Sequence, residues 1–279
     1  MLPDAFDAWL RDPHRRVLVM GVLNVTPDSF SDGGRFSTRD AAMAHALEMV
    51  EAGADLIDVG GESTRPGSKP VPPDEQIRRV APVIEAIAPR VRAIVSIDTT
   101  RADVAQAALD AGAAMVNDIS AARDDAAMLP LVAARSAPVI LMHMQGNPAT
   151  MQANPTYDDV MRETIEFLRE RSAAAEGAGV APHRILIDPG IGFGKTMAHN
   201  LELLRRQSEL AALGNPVVSG TSRKGFVGQI TDEPEPAQRL FGTAACVAWS
   251  VTNGAAVVRV HDVKAMRQVV RMTEAIRAR

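Results

Sequence analysis

Residues 185–196 have the sequence ILIDPGIGFGKT, in which a short apolar run ends at Asp188 and a glycine-rich turn follows. Short apolar runs bounded by Pro and Gly are typical of parallel strands that are buried on both faces. In folds built on such sheets, ligands bind beyond the carboxyl ends of the strands. We therefore interpret Asp188 as the central candidate site residue. Taken alone, this stretch leaves the alternative open that Asp188 only caps a turn before Pro189.

The same strand-like pattern occurs eight times along the chain, and helical periodicity fills the gaps. The predicted strands cover residues 17–23, 56–59, 93–97, 114–116, 138–142, 184–187, 216–219 and 256–260. Eight alternating strand and helix units in 279 residues favour a closed (β/α)8 TIM barrel of the α/β class over a doubly wound sheet. We predict one barrel domain, residues 17–279, and an N-terminal arm, residues 1–16, that covers its bottom. Thr38 and Thr100 are expected to be helix N-caps.

The composition and charge of the chain exclude several classes of function. A formal net charge of −4 without a basic block argues against nucleic acid or an anionic membrane as the partner. The first residues lack the basic start and apolar core of a secretory signal. The single cysteine, Cys246, lies in an apolar run and predicts a buried helix face rather than a nucleophile. Without a possible intrachain disulfide or an apolar run of about eighteen residues, we expect a soluble, cytoplasmic protein.

Polar or ionisable residues stand at the end of nearly every predicted strand. In chain order they are Asn24, Asp58, Asp98, Asn117, Asp118, His143, Asp188, Ser222, Lys224, Arg259 and His261. A buried core does not tolerate so many polar groups unless they face water, one another or a ligand. Since the carboxyl ends of barrel strands surround one mouth, we predict that these side chains form one site.

Four of these residues offer a mixed set of acceptors and donors. The carboxylates of Asp98 and Asp188, the amide of Asn117 and the ammonium of Lys224 can read the edge of a flat heterocycle that carries N–H donors and a carbonyl. Each charged hydrogen bond of this kind contributes about 1.5–3 kcal/mol. Metal binding by the two carboxylates is an alternative, although no His or Glu stands at a recognisable ligand spacing. A Schiff-base role for Lys224, as in barrel aldolases, is another.

Arg259 and His261 are two positions apart, so along a strand both side chains point to the same side. They lie at the end of the last strand, close to the frequent phosphate site of barrels, and predict an anion contact. The alternative is a surface arginine beside a helix-capping histidine.

Two loops, residues 24–37 and 60–73, are longer than a connection requires, which predicts functional lids. Asn24 and Asp32 in the first loop offer hard oxygen ligands for a Mg²⁺ ion that would be shared with substrate phosphates. For Asp58 and Glu62 we expect buried hydrogen bonding, and a role for His143 is left open.

Long motifs make the chain recognisable. The runs GVLNVTPDSFSDGG, IDVGGESTRPG, SIDT, VNDIS, LMHMQGNPATMQ, DPGIGFGKT, SRKGFVG and VVRVHDV resemble, in order and position, those of the dihydropteroate synthases of the bacterial folate pathway. The resemblance implies a barrel transferase that joins 4-aminobenzoate to 6-hydroxymethyl-7,8-dihydropterin diphosphate and releases diphosphate and 7,8-dihydropteroate. It also implies Mg²⁺ as cofactor, a homodimer, inhibition by sulfonamides, and an SN1-like mechanism. The predicted helices at residues 242–252 and 263–276 are richer in Ala, Val and Met than one barrel face needs, so they could pair with the second subunit. The alternative is that this apolar face only packs on the barrel.

Carried over motif by motif, the resemblance implies three groups of binding residues. Those for the pterin ring are Asp98, Asn117, Asp188, Lys224 and Arg259. Those for the diphosphate are Asn24, which would also bind the metal, Arg259 and His261. Those for aminobenzoate are Thr64, Arg65, Pro66, Phe193, Ser222 and Lys224. The implied catalytic residues are Asp32, Asp98, Asp188 and Lys224.

Two further functions share part of this pattern. The methyltetrahydrofolate domain of corrinoid methyltransferases resembles the chain at the pterin-binding strand ends, but it has no use for the intact STRPG and SRKG loops. A non-catalytic pterin-binding paralogue would show damage in the first two loops or in the anion pair, and the sequence shows none.

Overall fold

A computed structural model describes residues 1–26, 38–63, 68 and 70–278. Within these residues, eight parallel strands close into a barrel in chain order, and β8 pairs with β1. The strands are β1 Leu18–Asn24, β2 Leu56–Gly60, β3 Ile94–Asp98, β4 Met115–Asp118, β5 Val139–Met142, β6 Ile185–Asp188, β7 Val217–Ser219 and β8 Ala255–Val260. The predicted TIM barrel is confirmed, and each predicted strand matches an observed one to within two residues at either end.

Helices fill the gaps between the strands, as the periodicity predicts. They are α1 Pro3–Arg11, α2 Thr38–Glu51, α3 Pro73–Ile87, α4 Ala102–Asp110, α5 Met128–Ala134, α6 Val160–Gly177, α7 Met197–Arg205, α8 Gln207–Ala211, α9 Gly225–Ile230, α10 Leu240–Thr252 and α11 Val263–Arg277. In the part of the chain that the structure describes, none of the helices is long and apolar enough to cross a membrane.

One N-cap prediction is wrong. The cap position of α4 is Arg101 rather than Thr100, and its side chain makes no capping hydrogen bond. Instead, the free amide of Ala102 donates to Asp125 Oδ2 at 2.9 Å, so a neighbouring loop supplies the capping oxygen. The side chain of Thr38 lies outside the described residues.

The lower half of the barrel interior is apolar. Inward-facing side chains from the strands form one cluster with the N-terminal helix: Leu18, Met20, Leu56, Ile94, Met115, Ile140, Leu186, Val218 and Val257. Helix α1 packs against this layer with Phe6, Trp9 and Leu10, and the Phe6 and Trp9 rings stack at 5.6 Å. The helix therefore lies against the bottom of the barrel, while the division of the chain between residues 16 and 17 stays a prediction.

Two residues farther along the strands, the inward positions become polar. Because side chains alternate along a strand, Asp58 follows Leu56, and Asn117 follows Met115, on the same side. On β8, Arg259 follows Val257 in the same way. The outward side chains of the strands pack against the helices in a separate apolar cluster. The switch from apolar to polar inward positions thus occurs at the carboxyl ends of the strands.

Candidate active site

The guanidinium of Arg259 joins two carboxylates at the centre of the mouth. Its Nε donates to Asp58 Oδ2 at 2.7 Å, and its Nη2 donates to Asp98 Oδ2 at 2.7 Å. Asn117 Nδ2 donates to the same Asp58 oxygen at 2.8 Å. Because Nδ2 of Asn117 already donates to Asp58, the Oδ1 atom of Asn117 is left to accept a hydrogen bond from a ligand. Three residues predicted for the pterin ring are therefore brought together.

Burial raises the pKa of Asp98 to about 7. The Arg259 guanidinium opposes this shift, whereas the neighbouring carboxylates of Asp58 and Asp118 reinforce it. A carboxyl group with a pKa close to neutrality can change its charge with small changes in its surroundings. The contact with Arg259 therefore fixes the position of Asp98, while a ligand that binds beside Asp98 can change its charge.

The carboxylate of Asp188 is held by the turn that follows it. Its Oδ1 accepts a hydrogen bond from the backbone N–H of Gly190 at 2.6 Å. Burial raises the pKa of Asp188, while this hydrogen bond and the cations Lys224, Arg259 and Lys195 act in the opposite direction. Arg259 and Lys224 therefore act on both Asp188 and Asp98, as predicted for two carboxylates at one mouth.

The alternating glycines of the GIGFG run explain how the loop after β6, residues 189–196, fits into the mouth. All three have positive φ angles, of 66°, 83° and 60° at Gly190, Gly192 and Gly194. A side chain at Gly190 would overlap the carbonyl oxygen of His143, and a Cβ at Gly194 would lie 2.6 Å from the Gln145 oxygen. Backbone in the left-handed region and in such close contact requires glycine.

This loop presents Phe193 to Lys224. The Nζ of Lys224 lies 4.0 Å from the centroid of the Phe193 ring, which is within the range of a cation–π interaction. A Cβ at Gly192 would lie 2.9 Å from Lys224 Cδ, so the lysine side chain passes directly over the loop. Burial lowers the pKa of Lys224 to about 8, and Arg259 adds to this effect.

The loops after β7 and β8 are joined by two pairs of side chains. Ser222 Oγ lies 3.0 Å from His261 Nδ1, and Arg223 donates to both carboxylate oxygens of Asp262. Burial and the nearby Arg259 lower the pKa of His261 to about 3, so its imidazole is neutral at pH 7. As a contact to an anion, His261 would contribute a hydrogen bond rather than a charge.

Asn24 is the last residue of β1 and pairs with Gly60 on β2. Gly60 in turn pairs with Asp98 on β3. Gly60 has no side chain between them, and a Cβ there would lie 3.6 Å from Asn24 Oδ1. Among the residues that the structure describes, no group of three or more His, Cys, Asp or Glu side chains is placed to hold a metal ion. The predicted site residues Asp32, Thr64, Arg65 and Pro66 lie outside the described residues.

Two sets of contacts in the mouth were not predicted from the sequence. Asp58 is buried and hydrogen-bonded, as expected, but its partners Asn117 and Arg259 were not predicted. Lys195 is buried, and its Nζ lies 2.9 Å from Nδ1 of His143, whose role was left open. The sequence holds no local signal for this pair, because a lysine after a glycine-rich turn is equally consistent with an exposed side chain.

Comparison with known proteins agrees with this geometry. Residues 20–261 match the model of a family described as "Pterin binding enzyme". The chain is similar to a dihydropteroate synthase of Synechocystis, with 47% identity over 96% of this chain and 92% of the relative.

Solved structures give the same result. A Xanthomonas albilineans dihydropteroate synthase with 4-aminobenzoic acid superposes with a TM-score of 0.90, at 47% identity, over 95% of this chain and 94% of the other. A Yersinia pestis dihydropteroate synthase in a sulfonamide complex has a TM-score of 0.89, at 45% identity, over 94% of both chains. The chain belongs to the pterin-binding enzyme family and, within it, to the dihydropteroate synthases.

Proposed function

We propose that the mouth of the barrel condenses 6-hydroxymethyl-7,8-dihydropterin diphosphate with 4-aminobenzoate to give 7,8-dihydropteroate and diphosphate. The observation that carries this proposal is the convergence of Asp98, Asn117, Asp188 and Lys224 with Arg259 at one mouth. This donor and acceptor set matches the edge of a pterin, which has adjacent N–H groups and a carbonyl. Methyl transfer and Schiff-base chemistry are not favoured by any of these contacts.

The pterin ring is bound by the carboxylates and the amide. Asp98 and Asp188 accept hydrogen bonds from ring and amino N–H groups, and Asn117 accepts through Oδ1. The ammonium of Lys224 donates to the ring carbonyl or a ring nitrogen. Hydrogen bonds between charged partners and a flat heterocycle fix both its position and its orientation.

The diphosphate lies at the ends of β1 and β8. Arg259 contributes its charge and His261 contributes a hydrogen bond. Asn24 would hold a Mg²⁺ ion through its side-chain oxygen. A single amide oxygen fits this metal, because Mg²⁺ commonly takes only one or two protein ligands and completes its shell with phosphate oxygens and water. When bound, Mg²⁺ would neutralise charge on the diphosphate.

The reaction follows an SN1-like route. The bond between the exocyclic methylene and the diphosphate oxygen breaks first, its electron pair leaves with the diphosphate, and the electron-rich dihydropterin carries a positive charge. The neutral aromatic amine then forms the new C–N bond and loses a proton, so no strong base is required. Asp98 and Asp188 stabilise the cation electrostatically, which is usually the largest catalytic contribution.

Aminobenzoate occupies the side of the mouth formed by Phe193, Ser222 and Lys224. The aromatic ring of Phe193 offers a stacking or edge contact, and the Lys224 ammonium offers a charge for the carboxylate or the pterin. The roles of Thr64, Arg65 and Pro66 in aminobenzoate binding, and of Asp32 in catalysis, stay proposals that rest on the sequence. Sulfonamides, which resemble aminobenzoate in shape, would compete for this part of the site.

A homodimer is supported by exposed apolar side chains on two helices that pack together. On α10, Phe241 is 86% exposed and Trp249 is 50% exposed. On the adjacent α11, Met272 and Ile276 are 62% and 72% exposed. An exposed apolar patch of this kind commonly marks a protein interface, and we propose that a second copy of the chain covers it. Cytoplasmic localisation stays a prediction.

The test of the reaction is diphosphate release together with chromatography of dihydropteroate. Product should form only when the pterin diphosphate, 4-aminobenzoate and Mg²⁺ are all present. The Asp188→Asn variant is the low-activity control. If the wild-type protein binds the pterin tightly and yet forms no product, the proposed reaction is wrong and the chain is a non-catalytic paralogue.

A further inference from the structure

Lys195 and His143 form a buried pair beside the mouth that the proposed reaction does not use. Both side chains are nearly fully buried, with 3% and 6% of their surfaces exposed. Lys195 Nζ lies 2.9 Å from His143 Nδ1, 3.0 Å from the carbonyl oxygen of Phe193 and 3.4 Å from that of His143. The three N–H groups of a lysine ammonium thus have three acceptors among the described residues.

The histidine is an acceptor in this pair. Burial, together with Lys195 and Arg123, lowers the pKa of His143 to about 2, so the imidazole is neutral. A neutral imidazole that accepts at Nδ1 carries its proton on Nε2. The ring packs edge-on against Phe167, at 4.9 Å between centroids, which fixes the direction of the Nδ1 lone pair toward the lysine.

The pair belongs to a set of side chains that hold three successive carbonyl groups of the loop after β6. Gln152 donates to the Gly192 oxygen at 2.9 Å, Lys195 donates to the Phe193 oxygen at 3.0 Å, and the Tyr157 hydroxyl donates to the Gly194 oxygen at 2.8 Å. The peptide groups on both sides of Phe193 are therefore fixed. Since backbone orientation decides where a side chain points, these bonds fix the ring of Phe193 against Lys224.

Lys195 differs from the other two donors in having a buried partner of its own. Its bond to the Phe193 oxygen and that of Tyr157 to the Gly194 oxygen are both half-buried, and that of Gln152 is exposed. The contact between Lys195 Nζ and His143 Nδ1, in contrast, is buried. Burial lowers the pKa of Lys195 to about 7, and a buried nitrogen is costly to leave without a partner in either charge state. His143 therefore restricts where Lys195, and with it the Phe193 carbonyl, can lie.

We propose that Lys195 and His143 are positioning residues that determine the affinity for aminobenzoate by holding Phe193 in place. This inference rests on the proposed function, because it assigns Phe193 to the aminobenzoate side of the mouth. Neither residue touches a reacting atom. Asp98, Asn117 and Arg259, which bind the pterin, lie on other strands, whereas Phe193 lies in this loop. Loss of the pair should therefore weaken aminobenzoate binding more than pterin binding, which it affects only through Asp188.

Two substitutions of His143 test this proposal. Asn and Leu have the same number and branching of side-chain heavy atoms and both remove the ring, but Asn can place an oxygen near the position of Nδ1, and Leu cannot. We expect His143→Leu to raise the KM for aminobenzoate by about tenfold or more, as for loss of a buried hydrogen bond to a charge. His143→Asn should stay within about threefold of the wild type, and the pterin diphosphate KM should change less than the aminobenzoate KM in His143→Leu.

Amide hydrogen exchange provides a second measurement that does not depend on activity. The amides of residues 190–195 should exchange faster in His143→Leu than in His143→Asn. If His143→Leu does not fold, the double variant Lys195→Met/His143→Leu leaves no buried charge unpaired and should show the same rise in aminobenzoate KM.

The outcomes separate this inference from the proposed function. A wild-type protein that forms no dihydropteroate would overturn the function. If the wild type is active, a His143→Asn and a His143→Leu variant that raise the aminobenzoate KM equally would overturn the positioning role. A His143→Leu variant that raises the KM of both substrates by the same factor would also overturn it. A double variant with an unchanged aminobenzoate KM would also overturn it.

Discussion

Arg259 and Asp98 are joined by a hydrogen bond of 2.7 Å between Nη2 and Oδ2, across the centre of the barrel mouth. This contact opposes the burial that raises the pKa of Asp98 to about 7. The proposed role of Asp98 requires the carboxylate form, so kcat/KM for the pterin diphosphate should fall as pH decreases through about 7.

Removal of the Arg259 guanidinium should shift the pH at which kcat/KM falls on the acid side of its profile, called the acid limb below. In Arg259→Gln the pKa of Asp98 should rise further, so activity should be lost at a higher pH than in the wild type. Arg259→Lys keeps a positive charge and should shift the limb less, even if kcat/KM decreases. The pH profile of kcat/KM measures both variants, and an acid limb that does not move in Arg259→Gln would contradict the assignment to Asp98.

Replacement of the central carboxylate should abolish most of the activity. Asp188→Asn keeps the size of the side chain but removes its charge next to the developing cation. We expect turnover to fall by about a hundredfold or more, as for loss of an electrostatic contact to a transition state. Asp4→Asn, at an exposed carboxylate on α1 at the bottom of the barrel, is the control and should retain its turnover. Near-normal turnover in Asp188→Asn would contradict the proposed mechanism.

Lys224 should set the alkaline side of the pH profile. Burial lowers its pKa to about 8, so the ammonium loses its proton as pH rises above that value. Because a neutral amine no longer supplies a positive charge to the site, kcat/KM should fall above about pH 8. In Lys224→Arg, whose charge persists, the alkaline limb should disappear. A limb that persists in the arginine variant would show that another group titrates.

Stability should depend on pH through His143. Its folded pKa of about 2 lies below the ordinary value of 6.5, so the folded state binds fewer protons than the unfolded state between these values. The contribution of neutral His143 to the free energy of unfolding is therefore fully present above about pH 6.5 and decreases as pH falls toward about 2.

Urea unfolding of the wild type and of His143→Asn should show this effect. The difference in unfolding free energy between them should decrease below about pH 6.5, by at most about 1.4 kcal/mol for each pH unit. The comparison with the variant is necessary because Asp98, Asp118 and Asp188 have raised pKa values, which act in the opposite direction. A difference that is constant with pH would mean that folding leaves the pKa of His143 at its ordinary value.

The exposed surface of α10 and α11 predicts a change in mass. Phe241→Glu places a charge in the apolar patch and should convert a dimer to a monomer in light scattering or sedimentation. Ala173→Glu adds the same charge to an exposed position of α6 and should leave the mass unchanged. A wild-type protein that is monomeric at high concentration would contradict the proposed dimer.

The strand ends were predictable because each depends on a local pattern. Apolar runs that stop at Asp98, Asn117 and Asp188 mark the ends of parallel strands, and the closed barrel brings these ends together. The partners at the mouth were not predictable in this way. Arg259 and Asp58 are 201 residues apart, and their hydrogen bond depends on the closing contact between β8 and β1.

The pair of Lys195 and His143 also depends on tertiary structure. These residues are 52 positions apart, and both would be interpreted as ordinary polar residues without the packing around them. The same reason explains the error at Thr100. A local rule assigns the cap to the nearest threonine, whereas Asp125 reaches the free amide from another loop.

The glycine-rich loop after β6 has a consequence for how this protein can vary over generations. Positions 190, 192 and 194 are closed to side chains by their φ angles and by the atoms around them, and Ile191 is buried in the core. A library of all substitutions at residues 190–194 should therefore retain function mainly at Phe193. Mutations that change the ligand preference of this loop are therefore restricted to the codon of Phe193.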